Sequence, residues 1–272
     1  MMKGYLYTAT GKQFIQEATR SAQSLRKIDK QAHITLVTDE HLDSGLFDNV
    51  VIKPANIQTR KEGLLYKVKN IYQSSPYQET LFLDSDTYVC ESCDSLFELL
   101  EFFDIAIAPD PTDPFWAKSP SSLKRIKACA PYNTGVIAFK KNQKNETLFR
   151  EWLDIYQNKI INKEIHREND QTSFMEAWLK SDAKIYVLAH SWNARTPFFI
   201  TLNQSVKIIH GRHKNYDLIR KKLNQPLYSK HRCWLPVHEK CLTKKSGFLY
   251  HYKTIGSRIK NRCLSFLGKS KK

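Results

Sequence analysis

The sequence predicts an α/β fold built on a mostly parallel mixed sheet with helices on both faces, and three observations lead there. Over the first 110 residues, short β-rich runs alternate with stretches of helical periodicity, the rhythm of a sheet wound through crossover helices. The 272 residues are 41% hydrophobic and 26% charged, a globular balance on a chain long enough for one large core. No solenoid-period repeat and no low-complexity linker interrupts it.

Residues 5–8 and 34–38 read as strands, separated by 13–25, where Phe14, Ala18, Ala22 and Leu25 recur at helical spacing. Residues 50–53 read as a strand, 64–72 as a helix, 81–83 as a buried strand, 95–102 as a helix and 105–108 as a strand. Pro109, Pro111, Pro114 and Pro120 then resist both helix and central strand, so this segment is expected to loop over the site. Strands are expected at 136–139, 184–188 and 206–209, with helices at 148–160 and 171–179. Beyond about Asp217 the rhythm stops, which divides the chain into a domain over 1–217 and a basic C-terminal extension over 218–272.

The formal net charge of +16 is unevenly spread. From residue 184 onward there are twenty Lys and Arg against Asp217 and Glu239, whereas 1–183 holds 23 basic and 25 acidic residues. This pattern disfavours a uniformly basic nucleic-acid-binding fold. Within the extension, Phe248, Tyr252, Ile255, Ile259 and Cys263 form an apolar stripe among basic residues. That stripe suits either an anionic membrane surface or the flank of the domain itself. The opening residues are too polar for a secretory leader, and no run approaches the ~18 apolar residues of a membrane span. The expected setting is cytoplasmic, with peripheral contact at the inner membrane face, and the six cysteines are expected as thiols.

The most informative string is Leu81-Phe82-Leu83-Asp84-Ser85-Asp86, an apolar strand ending in two carboxylates one residue apart. In extended backbone both side chains point the same way, into the crevice beyond the strand ends where such sheets bind ligands. Paired hard oxygens there suit a divalent cation that bridges two phosphates and neutralises a departing diphosphate. A strand end followed by a helix cap is the plainer reading. Other polar residues fall at comparable places: Asn133 and Gly135 before a strand, Asp170-Gln171 at a helix start, where Asp170 also suits an N-cap, and His210-Gly211 after a strand.

In collinear order these segments resemble the GT-A glycosyltransferases of family eight, the group that includes glycogenin and bacterial lipopolysaccharide galactosyltransferases. The resemblance is carried by Leu6-Tyr7-Thr8-Ala9-Thr10, Leu65-Tyr66-Lys67, Phe82-Leu83-Asp84-Ser85-Asp86-Thr87 and Ala108-Pro109-Asp110-Pro111. It continues through Tyr132-Asn133-Thr134-Gly135-Val136, Asp170-Gln171 and Val206-Lys207-Ile208-Ile209-His210.

The resemblance implies a GT-A fold and a nucleotide diphosphate sugar donor, a UDP-sugar, with a carbohydrate, lipid-linked or protein acceptor and retention at the anomeric carbon. It implies that Asp84, Asp86 and His210 ligate Mn2+, with Mg2+ the alternative; a carboxylate and imidazole set suits manganese better than calcium. Thr8, Ala9 and Thr10 would line the base, Lys67, Asp84 and Ser85 the ribose and phosphates, and Asn133, Gly135, Asp170 and Gln171 the sugar. Asn133, Asp170 and Gln171 are the residues implied for catalysis, and Gly211 with Lys214 would form a phosphate clamp. Two departures stand out: Phe14 falls where many members stack a Tyr, and the family's two extra residues between His and Gly and its Pro-Trp after the Lys are missing here.

The alternative from another class is a haloacid dehalogenase-type phosphatase, whose nucleophile strand also fits Leu83-Asp84-Ser85-Asp86-Thr87. Such enzymes carry that strand near the N-terminus and a later acidic pair, and this chain contains no Asp-Asp dipeptide. Zinc at Cys90 and Cys93, or at His231, Cys233, His238 and Cys241, is disfavoured by incomplete or irregular spacing.

Overall fold

The computed structural model describes residues 2–42, 45–111, 131–164, 169–225 and 231–243. The chain opens with β1 (Lys3–Ala9), α1 (Gly11–Ile28), β2 (Ile34–Thr38), β3 (Asn49–Ile52) and α2 (Arg60–Ile71). Next come β4 (Glu79–Leu83), β5 (Thr87–Val89), α3 (Asp94–Leu99), β6 (Ile105–Pro109), β7 (Tyr132–Lys140), α4 (Gln143–Ile161) and α5 (Gln171–Trp178). Shorter pieces follow: β8 (Ile185–Val187), β9 (Ala194–Arg195), β10 (Ile200–Leu202), β11 (Ile208–His210), α6 (Tyr216–Asn224), β12 (Arg232–Leu235) and β13 (Lys240–Thr243).

Seven strands form the main sheet in the order β3-β2-β1-β4-β7-β6-β8. All neighbours are parallel except β7, which runs antiparallel between β4 and β6. Along β1 the side chains divide between two cores, as a strand covered on both faces requires. Tyr5, Tyr7 and Ala9 pack with Ala18, Ala22 and Leu25 of α1 and Leu96 and Phe97 of α3. Leu6 faces the opposite core, with Val68 and Ile71 of α2, Leu148 and Trp152 of α4, and Phe174 of α5.

Two three-stranded sheets flank this framework, β5-β11-β9 and β10-β12-β13. Their shared core includes Tyr88, Ile209, Tyr216, Leu223 and the fully buried Trp234. Strand β10 pairs with β12 in antiparallel register, so residues on both sides of position 217 share one sheet. Helix α6 begins where the sequence shows the β/α rhythm ending. The amphipathic stripe beyond residue 243 and the Pro-rich segment 112–130 lie outside the described residues. Among the described residues, no helix is long and apolar enough to cross a membrane. Cys90, Cys93, Cys233 and Cys241 are free thiols.

Three local expectations change. Asn133, Thr134 and Gly135 lie inside β7 rather than before it, because β6 pairs with β7 as far back as Tyr132, opposite Pro109, whereas β4 covers only 136–140. Phe14 is not on the buried stripe of α1 but 41% exposed. Strands β5, β9, β10, β12 and β13 have 2–4 residues each and exist through pairing, so their apolar pattern is too short to read in the sequence.

Trp152 ties this framework to the site. It is fully buried, stands edge-on to Phe174 with ring centroids 5.0 Å apart, and donates its indole N–H to the Asp170 carbonyl at 3.1 Å. Trp152→Ala is expected to cost about 3–5 kcal/mol, read as a lower urea midpoint at unchanged m-value.

Candidate active site

The two carboxylates of the D-x-D string converge by a different route from the one expected. Strand β4 ends at Leu83, and Asp84-Ser85-Asp86 forms a tight turn closed by the Thr87 N–H donating to the Asp84 carbonyl at 3.2 Å. Extended alternation therefore does not aim these side chains; the turn does. It is pinned from both sides, by the Asp84 N–H donating to the Gly135 carbonyl at 2.8 Å and the Gly211 N–H donating to the Asp86 carbonyl at 3.0 Å.

Beyond the turn, β5 pairs with β11 so that His210 stands opposite Thr87, one residue past Asp86. Register thus delivers the imidazole. Ligand atoms of Asp84, Asp86 and His210 all lie within 4.8 Å of one another, the one such potential metal group among the described residues. His210 Nε2 is 3.3 Å from Asp86 Oδ1 and 3.8 Å from Asp84 Oδ2. Its Nδ1 meets Asn193 Oδ1 at 2.8 Å, which leaves Nε2 toward the carboxylates. Two carboxylates and an imidazole are a donor set that fits a divalent cation.

Charge is dense here. Burial works to raise the Asp86 carboxyl, but His210, Arg212 and Arg195 outweigh it and hold the group below the usual carboxylate range. At Asp84 burial prevails over the opposing pull of Lys67 and His210 and pushes the carboxyl up. Lys67 is itself buried, 2.9 Å from Asp170 Oδ2 and 3.3 Å from Asp84 Oδ1. Burial would lower its ammonium, yet the two carboxylates win and raise it.

Asp170 stands at the N-terminus of α5 but makes no side-chain capping bond. Its carboxylate instead faces Lys67 and accepts from Thr134 Oγ1 at 2.9 Å, so the capping reading fails. Gln171 Nε2 and Asn133 Nδ2 both donate to Asp110 Oδ2, at 2.8 and 2.9 Å. Gly135 sits where a Cβ would strike the His210 ring and approach Asp84 Oδ2 to 2.7 Å, so the absent side chain is what admits the other groups. Gly211 has φ +130°, a conformation that favours glycine.

A cleft of about 730 Å³ opens beside this cluster, within the size range of small-ligand sites. Thr8, Ala9, Thr10, Lys67, Asp84, Ser85, Asp86 and His210 all line it. The Thr8 hydroxyl is buried without a hydrogen-bond partner. Exposed Lys214 is not among the residues lining this cleft, nor are Asn133, Gly135, Asp170, Gln171 and Gly211.

Sequence reasoning missed Arg195, Arg212, Glu17 and Asn193. Arg212 makes a two-pronged pair with Glu17 at 2.7 and 2.9 Å and reaches within 3.5 Å of Asp86 Oδ2. Its guanidinium lies 5.8 Å from the Phe14 ring, which also faces the cleft. A run of cationic residues after His210 was visible in the sequence; which of them turns inward was not.

No protein-family model matches the sequence, and no curated protein matches it by sequence. Solved structures do match. Mouse xyloside xylosyltransferase 1 superposes at TM-score 0.52 and 15% identity, covering 77% of this chain and 97% of its own. The glycosyltransferase GlyE of Streptococcus pneumoniae gives 0.54 and 17% over 78% of this chain, which spans 55% of the GlyE chain. Galactosyltransferase LgtC, solved with donor and acceptor sugar analogues, gives 0.50 and 13% over 78% of this chain and 88% of its own. With the sheet order above, these neighbours establish the GT-A glycosyltransferase fold.

Two outcomes follow from this packing. Lys67→Met strands Asp170 in the interior and is expected to cost about 3–5 kcal/mol in urea unfolding at pH 7. Because the fold raises this amine, its contribution is complete at neutral pH and is lost only as pH climbs beyond about 10.4 and through the raised value. Gly135→Ala forces His210 and Asp84 apart and is expected to weaken any divalent-cation binding by this group at least about tenfold in calorimetric titration, a loss of about 1.4 kcal/mol.

Proposed function

We propose that this chain is a divalent-metal-dependent glycosyltransferase of the family-eight kind, taking a sugar from a UDP-sugar and passing it to a carbohydrate, lipid-linked or protein acceptor with retention. The observation that carries this reading is the convergence of Asp84, Asp86 and His210 beside a nucleotide-sized cleft in a GT-A fold. Bound Mn2+, or Mg2+ in its place, would supply Lewis-acid neutralisation of the diphosphate leaving group.

The protein's own residues divide the remaining tasks. Thr8, Ala9 and Thr10 form the floor for the nucleoside, and the exposed Phe14 ring offers a stacking face. Lys67 and Ser85 face the ribose and phosphate region. Asn133 and Gln171 both donate to Asp110, and with Gly135, whose N–H donates to Asn133, they would flank the donor sugar. Gly211 permits close approach of backbone, and Lys214 would have to swing inward from its exposed position to join it as a phosphate clamp.

For the chemical step, Asp170 is buried and held by both Lys67 and Thr134, an arrangement that suits a fixed negative charge better than a nucleophile that must advance. In this reading Asp170 and Gln171 stabilise an oxocarbenium-like transition state while the departing diphosphate accepts the acceptor's proton. A glycosyl adduct trapped on Asp170 and seen by mass spectrometry would overturn that route. The basic amphipathic stretch beyond residue 243 would meet the inner face of an anionic membrane, a reading supported by the charge asymmetry of the sequence. No observation favours the phosphatase reading of the same strand.

The deciding measurement is a thermal-shift panel of nucleoside diphosphates with and without Mn2+. UDP at about one hundred times its dissociation constant should stabilise by about 2.7 kcal/mol, with Mn2+ required. Asp86→Ala should abolish the metal requirement along with the shift. If no nucleoside diphosphate stabilises the protein with any divalent cation, the reading falls.

A further inference from the structure

Arg195 carries a further role, which rests on the nucleotide-sugar reading above. A chain of directed hydrogen bonds decides which nitrogen of His210 bears the proton. The Gly135 N–H donates to Asn133 Oδ1 at 3.2 Å and Asn133 Nδ2 donates to the Asp110 carboxylate at 2.9 Å, so both ends of the Asn133 amide are fixed. Asn193 Nδ2 donates to the same Oδ1 at 2.9 Å, which turns the Asn193 oxygen toward His210 Nδ1, 2.8 Å away. An amide oxygen only accepts. Nδ1 therefore carries the hydrogen, and because the Arg195 guanidinium beside Nε2 can only donate, Nε2 accepts and presents a lone pair.

That lone pair is already engaged. Arg195 Nη1 lies 3.0 Å from His210 Nε2, the nitrogen that faces Asp84 and Asp86. One lone pair serves one partner, so a guanidinium and a metal ion exclude each other there. The rest of the Arg195 head is weakly committed: Nε is buried without a hydrogen-bond partner, and the group rests 5.4 Å from the Phe198 ring. Arg195 also lines the cleft, as Arg212 does, but Arg212 is tied down by Glu17. Of the two, Arg195 is the one with donors to redirect.

We propose that Arg195 is a placeholder for the divalent cation that becomes a diphosphate ligand once the cation binds. In the metal-free protein its guanidinium occupies the lone pair of His210 and offsets the neighbouring carboxylates. Metal binding claims that lone pair and frees the planar fork for the donor's phosphate oxygens, the geometry arginine matches well. Metal and nucleotide binding are thereby coupled through one side chain, and reciprocally so.

Isothermal titration of the full chain tests this with MnCl2 alone and with UDP, or the nucleoside diphosphate the thermal panel selects, at saturating Mn2+. Arg195→Met is expected to bind Mn2+ alone about tenfold more tightly than the unsubstituted protein, and the nucleotide about tenfold more weakly. Arg212→Met removes the same charge without touching the lone pair; it should weaken the nucleotide but tighten Mn2+ markedly less. Equal tightening by both variants would reduce the effect to net charge and overturn the proposal. So would an Arg195→Met protein that binds Mn2+ no more tightly or the nucleotide no more weakly. If circular dichroism shows Arg195→Met unfolded, Arg195→Gln is held to the same criteria. Should the unsubstituted protein bind neither Mn2+ nor any nucleoside diphosphate, the transferase reading falls and this role with it. If it binds both and the variant matches it, this role alone falls.

Discussion

Negative charge gathered at the end of one strand is the constraint around which this molecule is arranged. Asp84, Asp86 and Asp170 are brought together by β4, the turn after it and the start of α5, and carboxylates this close cannot stay ionised without nearby positive groups. Lys67 answers two of them from the interior. Arg212 answers Asp86 from the rim, and the Arg195 guanidinium stands close by, against His210. The surplus of acidic oxygen atoms facing a cleft is what makes a cation a fitting guest there.

Rigidity comes from the backbone and from amides rather than from further charge. The Asp84–Asp86 turn is stitched to β7 on one side and to Gly211 on the other, while β11 places His210 by register. Asp110, Asn133, Asn193 and His210 then form a continuous hydrogen-bonded line from the proposed sugar pocket to the proposed metal position. Such a line holds each group in one orientation and links the two ends of the donor site mechanically.

Local chemistry made much of this legible in advance. The alternation of β-rich runs with helical periodicity placed the first four strands of the main sheet and their helices within a few residues, because each buries enough apolar surface to leave a pattern. Asp84, Asp86 and His210 could be named since carboxylates and imidazoles at strand ends are conspicuous against apolar runs. Asp170 was ambiguous between capping and chemistry, as any acid at a helix start is; its bonds to Lys67 and Thr134 exclude the capping role.

What the chain composition and order determined by themselves were the fold class, the cluster of acids, and the concentration of basic residues toward the C-terminus. Tertiary structure alone decided that a turn rather than an extended strand aims the two aspartates, that Arg195 and Arg212 reach the cleft while Lys214 stays exposed, and that Asn193 orients the histidine. The reason is physical: periodicity records which residues are buried, an average property of a segment. Pairing register and side-chain direction depend on contacts between residues as far apart as Glu17 and Arg212, which no local pattern encodes.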